Sequence, residues 1–189
     1  MKISNPPGAD ASARERILYT ATRLFYEQGI RATGIDRIIA EANVAKASFY
    51  RQFPAKDELV QAFLTHRHEA WMAWFDGSLK ARCARGKPSL ALIADVLEEW
   101  FVDPEFRGCA FINALAEGMP SPVVADIARA HKQALGDYLR GFVAMLGHRA
   151  PKQTAQAVLM IVEGAIVRAQ MTGDGVGQAA VARTLFKAI

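Results

Sequence analysis

Lys46, Ala47, Tyr50 and Arg51 are the residues whose types and spacing best suit contact with a polyanion. On a helix the 46/50 and 47/51 pairs are i, i+4 neighbours, so two cations, a phenol and a small side chain share one face. Lysine and arginine reach phosphate or guanine, and a tyrosine hydroxyl donates to phosphate. Small residues such as Ala47 and Ser48 let the helix backbone approach base edges. Thr33 and Lys56 sit where helices are expected to begin, ends whose unpaired N–H groups favour a phosphate. Catalytic equipment is missing by comparison. His66 and His68 are two apart, about 200° around a helix, and cannot chelate one metal as an i, i+4 pair would. His131 and His148 are isolated, and Glu98 and Glu99 point to different helix faces. With no Gly-rich phosphate loop, Gly-x-Ser-x-Gly or His-Glu-x-x-His, the reading is a non-enzyme with no catalytic residue, metal or cofactor.

The elements that must carry that face follow from periodicity. Residues 12 to 28 place Ile17, Ala21, Leu24 and Phe25 at helical spacing, with Gly29 as a stop. Ile35, Ile38, Ile39 and Ala42 follow the i, i+3, i+4, i+7 rule behind Thr33, which with Asp36 resembles a capping box. Asn43 tolerates left-handed backbone angles and breaks the pattern. Ala45, Phe49 and Phe53 then define the inner face of a third helix that Pro54 ends. Residues 33 to 53 have the geometry of a helix-turn-helix whose second helix enters the major groove. The pattern alone equally fits a helical hairpin that never meets DNA. A long helix is expected from Asp57, interrupted at Gly77 and Gly86. Further helices are expected at 90 to 102, 109 to 117, 123 to 146, 152 to 172 and 178 to 189. Strand signals are absent, and the reading is an all-α chain of about nine helices.

Composition is that of a globular protein, 51% apolar and 22% charged, and 23 Lys plus Arg against 19 Asp plus Glu give a net charge of +4. Basicity is not concentrated in the head: residues 1 to 65 hold nine Lys/Arg and seven Asp/Glu, the remainder fourteen and twelve. Affinity for a polyanion must therefore come from the placement of a few cations. Two cysteines, Cys83 and Cys109, without a Cys-x-x-Cys, fit a reducing compartment. With no signal-peptide core and no apolar run of about 18 residues, the chain is expected in the cytoplasm, away from membranes.

From Ala13 to Leu59, and above all over Thr33-Gly34-Ile35-Asp36-Arg37-Ile38-Ile39-Ala40-Glu41-Ala42-Asn43-Val44-Ala45-Lys46-Ala47-Ser48-Phe49-Tyr50-Arg51-Gln52-Phe53-Pro54, the sequence resembles the DNA-binding domain of the tetracycline-repressor (TetR) family of bacterial transcriptional regulators. The resemblance implies an N-terminal three-helix helix-turn-helix domain, residues 1 to 55. It also implies a C-terminal helical domain, residues 56 to 189, that binds a small-molecule effector and dimerises. The function implied is a ligand-responsive regulator, most often a repressor, that binds double-stranded operator DNA as a homodimer. Transferred by position, the DNA contacts are Thr33, Lys46, Ala47, Ser48, Tyr50 and Lys56, while Phe49 and Phe53 are core. Arg51 joins them from the facing pattern. Asn43 stands where the family has a turn glycine, Gln52 where it often has His or Tyr, and Ala45 and Ala55 where it often has a capping side chain.

Beyond residue 65 the resemblance thins, although 106 to 117 is similar to a segment shared by one group of these regulators. Cys109, Asn113 and Glu117, spaced i, i+4, i+8, form a polar stripe. With Trp71, Trp74, Phe75, Trp100, Phe101, Phe111, Met119, Tyr138 and Phe142 it either lines an effector pocket or belongs to the core. Cys109 is either a reactive sensor or an inert buried thiol. The helix over 155 to 171 is apolar on nearly every side and needs a second cover. Val158, Val162, Ile166 and Ala169, with Val181 and Leu185 of the last helix, are expected to meet a partner subunit, where the family places its dimer bundle. A helical protein-interaction module or a small helical enzyme without DNA binding is the competing function. A missing helix cap costs about 1 kcal/mol. Ala55→Ser is therefore expected to raise the melting temperature slightly in a thermal melt, and an unchanged or lower value would refute the capping reading.

Overall fold

The computed structural model describes residues 7–8, 10–118 and 121–189. Among them are nine helices and no strand: α1 Ala13–Gln28, α2 Ile35–Glu41, α3 Lys46–Gln52, α4 Lys56–Cys83, α5 Ala91–Phe101, α6 Ala110–Ala116, α7 Pro122–Met145, α8 Pro151–Thr172 and α9 Gly175–Lys187. No helix among the described residues is long and apolar enough to cross a membrane.

Local chemistry sets most boundaries. Ser12 opens α1 with a reciprocal capping box: its hydroxyl accepts from the Glu15 N–H, and the Glu15 carboxylate accepts from the Ser12 N–H at 2.8 Å. Gly29, at φ 91°, closes it. Asn43 takes the expected left-handed turn at φ 51°. The capping box expected at Thr33 does not form. Gly34 is the N-cap of α2 and offers no side chain, because the Thr33 hydroxyl is turned back toward α1. Gly77 does not interrupt α4 either, which runs unbroken to Cys83. A single interior glycine costs about 1 kcal/mol against alanine, too little to stop a helix with a packed face. Asp174 starts α9 earlier than periodicity indicated, accepting from the Gly177 N–H at 2.8 Å.

The chain divides into two compact units. One comprises the described part of Lys2–Trp71 together with Ala110–Arg129, and the other Met72–Cys109 with Ala130–Ile189. Compactness thus groups α6 and the start of α7 with the three N-terminal helices, where motifs alone suggest a cut at residue 55.

In the N-terminal unit α1, α2 and α3 pack on one another around Ile17, Leu24, Phe25, Ile38, Phe49 and Phe53. In the other unit α5, α8 and α9 form a close three-way packing. Arg183 of α9 ties to Asp95 at 2.8 Å and Glu98 at 2.7 Å on α5. Backbones there approach closely: a Cβ on Gly175 would lie 2.6 Å from the Phe101 Cβ and 3.0 Å from its carbonyl. Gly175→Ala is expected to cost about 1–3 kcal/mol of stability. Gly77→Ala, where a Cβ meets nothing, should gain about 1 kcal/mol. Urea unfolding of both variants checks the pair, and a Gly175→Ala protein at least as stable as the parent would refute the close approach.

Candidate nucleic-acid interface

A helix of seven residues is not stable alone, so α3 is held by what it buries and by what grips its ends. Phe49 is fully buried, with the Phe53 ring 6.4 Å away. The Tyr50 ring stands edge-on to Phe49 at 5.3 Å, yet Tyr50 remains 41% exposed. At the far end Arg14 of α1 lies over the Phe53 ring at 4.4 Å and donates to the Gln52 carbonyl at 3.1 Å. At the near end Ala45 supplies no side-chain cap.

What faces outward is the set expected from spacing. Lys46, Ala47, Tyr50 and Arg51 are exposed and Ser48 is half-buried. The Lys46 ammonium is 3.2 Å from Asp36 of α2, both strongly exposed. Such a pair is worth little in water, so it leaves the cation free to exchange toward a phosphate. Arg51 donates to the Ser48 hydroxyl at 3.1 Å. Behind this face Glu41 accepts from Arg37 at 2.7 Å and from Arg23, and Arg23 also lies 3.4 Å from Glu27, so two cations and two carboxylates on α1 and α2 compensate one another. The Arg37 and Arg23 hydrogen bonds hold the Glu41 carboxyl below its ordinary range.

Two expected contacts lie elsewhere. Thr33 is fully buried, and its hydroxyl donates to the Gly29 carbonyl at 2.7 Å, satisfying an acceptor left over at the end of α1. The Lys56 ammonium donates to the carbonyls of Ile30 at 2.6 Å and Thr33 at 2.7 Å, and burial pushes its pKa down from the ordinary lysine value. Both side chains brace the α1–α2 turn, Thr33 through its single hydroxyl donor and Lys56 through two of its three ammonium donors.

The same turn carries a contact that no sequence pattern signalled. The Glu117 carboxylate accepts from the N–H groups of Ile30 at 2.9 Å and Arg31 at 2.7 Å, while Arg31 donates to the Glu117 carbonyl at 2.9 Å. A cavity of about 620 Å³ adjoins it, lined by Ile30, Arg31, Lys56, Asp57, Val60, Ala114, Glu117, Gly118, Ser121 and Val124. Of the described residues expected to line an effector pocket, Glu117 is the one found there. Phe75, Trp100, Phe101 and Phe142 are buried in the second unit. Trp100 and Phe101 cluster with Phe106, which the sequence did not mark, at 5.1 and 5.2 Å. Trp74 packs 6.1 Å from Trp100, and the Tyr138 hydroxyl donates to Asp76 at 3.0 Å. Trp71 and Phe111 are buried in the first unit and Asn113 is half-buried. Cys109 is buried, just ahead of α6, and Met119 lies outside the described residues.

The partner-facing residues need correction. Val158, Val162, Ile166 and Ala169 are buried within the protomer's own unit, because the 3.6-residue repeat turns them inward together. The outward face of α8 carries Met160, 76% exposed, Gly164 and Met171, 75% exposed, and on α9 Val181 and Leu185 are exposed.

Residues 17–63 match the profile of the bacterial regulatory proteins of the tetR family. Over the whole fold the chain is similar to SCO4454, a TetR-family transcriptional regulator from Streptomyces coelicolor. That match has a TM-score of 0.80 and 31% identity, covering 93% of each chain. It is 46% identical to the HTH-type transcriptional regulator YxaF of Bacillus subtilis over 55 residues, 29% of each protein. It is 25% identical to the HTH-type transcriptional repressor NemR of Escherichia coli over 70% of this chain and 64% of that protein. The chain thus spans less than a third of the first of these curated relatives and just under two thirds of the second.

Proposed function

This chain belongs to the TetR family of bacterial transcriptional regulators, and from that premise we propose a cytoplasmic repressor that binds operator DNA as a homodimer and releases it when a small-molecule effector binds. The observation that carries the reading is α3: Phe49 holds it from behind while Lys46, Ala47, Tyr50 and Arg51 stand exposed together. A recognition helix offered in this way reads base edges in the major groove, with the two cations and the phenol anchoring it to phosphates. Two copies of the helix, set by dimerisation on successive half-sites, make up for the small net charge of the head.

Exposed apolar surface supports the dimer. Met160 and Met171 on α8, with Val181 and Leu185 on α9, leave a hydrophobic stripe in water, the kind of patch that marks an interface. Two helices from each protomer would bury it as a four-helix bundle. Effector control is a difference in ligand affinity between the DNA-competent arrangement and another.

Electrophoretic mobility shift against genomic fragments tests DNA binding. Binding should fall by ten-fold or more between about 50 and about 200 mM salt, and Lys46→Ala should reduce the salt slope by roughly one. A protein-binding module would shift no fragment, and a salt-independent shift would also refute the reading. Met160→Glu should yield monomers in sedimentation with helicity retained, whereas a fully dimeric Met160→Glu protein would remove the proposed interface.

A further inference from the structure

We infer that the cavity beside Glu117 is a carboxylate-recognition site, at which the acid group of an amphipathic monocarboxylate ligand replaces the Glu117 side chain. The inference rests on the effector reading above and names the chemistry of the effector. Its foundation is the incumbent. Glu117 places one carboxylate oxygen on the N–H of Ile30 and the other on the N–H of Arg31. Successive backbone N–H groups aimed at one point form an anion-binding concavity, and here it is already shaped to two oxygens of one carboxylate. The backbone is arranged around this clasp. Gly29, at φ 91°, would place a Cβ 3.0 Å from a Glu117 carboxylate oxygen. Gly118, at φ 97°, would place one 2.9 Å from the Arg31 guanidinium.

The surroundings favour an acid with an apolar tail. The Arg31 guanidinium and the Lys56 ammonium line the cavity with Glu117, and Asp57 is the opposing charge at its exposed edge. Once a ligand carboxylate has taken the amides and Glu117 has swung away, two cations face one added anion. Val60, Ala114 and Val124 supply apolar wall. The volume of about 620 Å³ falls within the range of small-molecule sites and accommodates a chain of about seven carbons beside the acid group.

The exchange also has a consequence for α2 and α3. Glu117 follows directly on α6, whereas Ile30 and Arg31 belong to the turn that leads from α1 into α2. While Glu117 occupies the two amides, the end of α6 is tied to the helix-turn-helix. A ligand acid in its place satisfies the same N–H groups and leaves the Arg31 hydrogen bond to the Glu117 carbonyl as the remaining tie, so occupancy and the freedom of the α1–α2 turn are coupled.

Titrating the full-length protein with sodium octanoate below its micellar concentration, followed by calorimetry and by amide NMR, tests the site without DNA. Its outcome is therefore independent of the operator-shift measurement. Saturable binding should move the Ile30 and Arg31 amide signals, octan-1-ol should bind about ten-fold more weakly or worse, and octylamine should not bind. Glu117→Gln weakens the incumbent by removing its charge, so it should tighten octanoate binding by about ten-fold, the effect of losing one charge-assisted interaction. Arg31→Gln, at an exposed position, should weaken binding by a similar factor. Equal affinity for octanoate and octan-1-ol, no binding of octanoate, or an Arg31→Gln protein with undiminished affinity would each overturn the inference. So would unchanged or weaker binding in a folded Glu117→Gln protein.

Discussion

Burial of Phe49 and Phe53 behind α3 is the constraint on which the N-terminal unit depends. Seven residues are too few for a helix to persist in water on its own hydrogen bonds. Without a capping side chain at Ala45, α3 lacks one of the usual supports at its start. Its stability is tertiary: two aromatic rings in the core, the edge contact between Phe49 and Tyr50, and Arg14 seated on Phe53 and on the Gln52 carbonyl. Because these interactions all lie on one side of α3, the other side is left to Lys46, Ala47, Tyr50 and Arg51. Core residues and exposed residues therefore alternate along one short segment.

Charge in this unit is mostly internally compensated. Arg23 and Arg37 are compensated by Glu27 and Glu41, and Lys56 gives two of its three donors to backbone carbonyls. The cations left for a polyanion are few, which fits a surface whose selectivity comes from placement and doubling more than from bulk attraction. The α1–α2 turn draws on residues far apart in the chain: Thr33 and Lys56 satisfy its carbonyls, and Glu117 satisfies its N–H groups.

The second unit is organised differently, by close helix approach and apolar packing. Gly175 permits contact with Phe101, Arg183 bridges to Asp95 and Glu98, and Val158, Val162, Ile166 and Ala169 fill the protomer's own interior. Its remaining apolar groups, Met160 and Met171 among them, face outward on the same helix. Helix α8 is apolar on nearly every side, yet the protomer's own unit covers one of those sides and leaves Met160 and Met171 exposed on another.

Periodicity and punctuation alone determined the all-α class, the order of the nine helices among the described residues, though not the continuity of α4 through Gly77, the left-handed Asn43 turn and the exposed face of α3. These follow from local backbone preferences and a 3.6-residue repeat, which a linear string carries in full. The burial of Thr33 and the turning of Lys56 onto carbonyls were decided by the tertiary structure, as was which of two apolar faces of α8 points inward. So was the seating of Glu117 on Ile30 and Arg31, which lie more than eighty residues away. Each depends on which unsatisfied backbone group or uncovered surface lies opposite in space, and sequence spacing does not encode that distance.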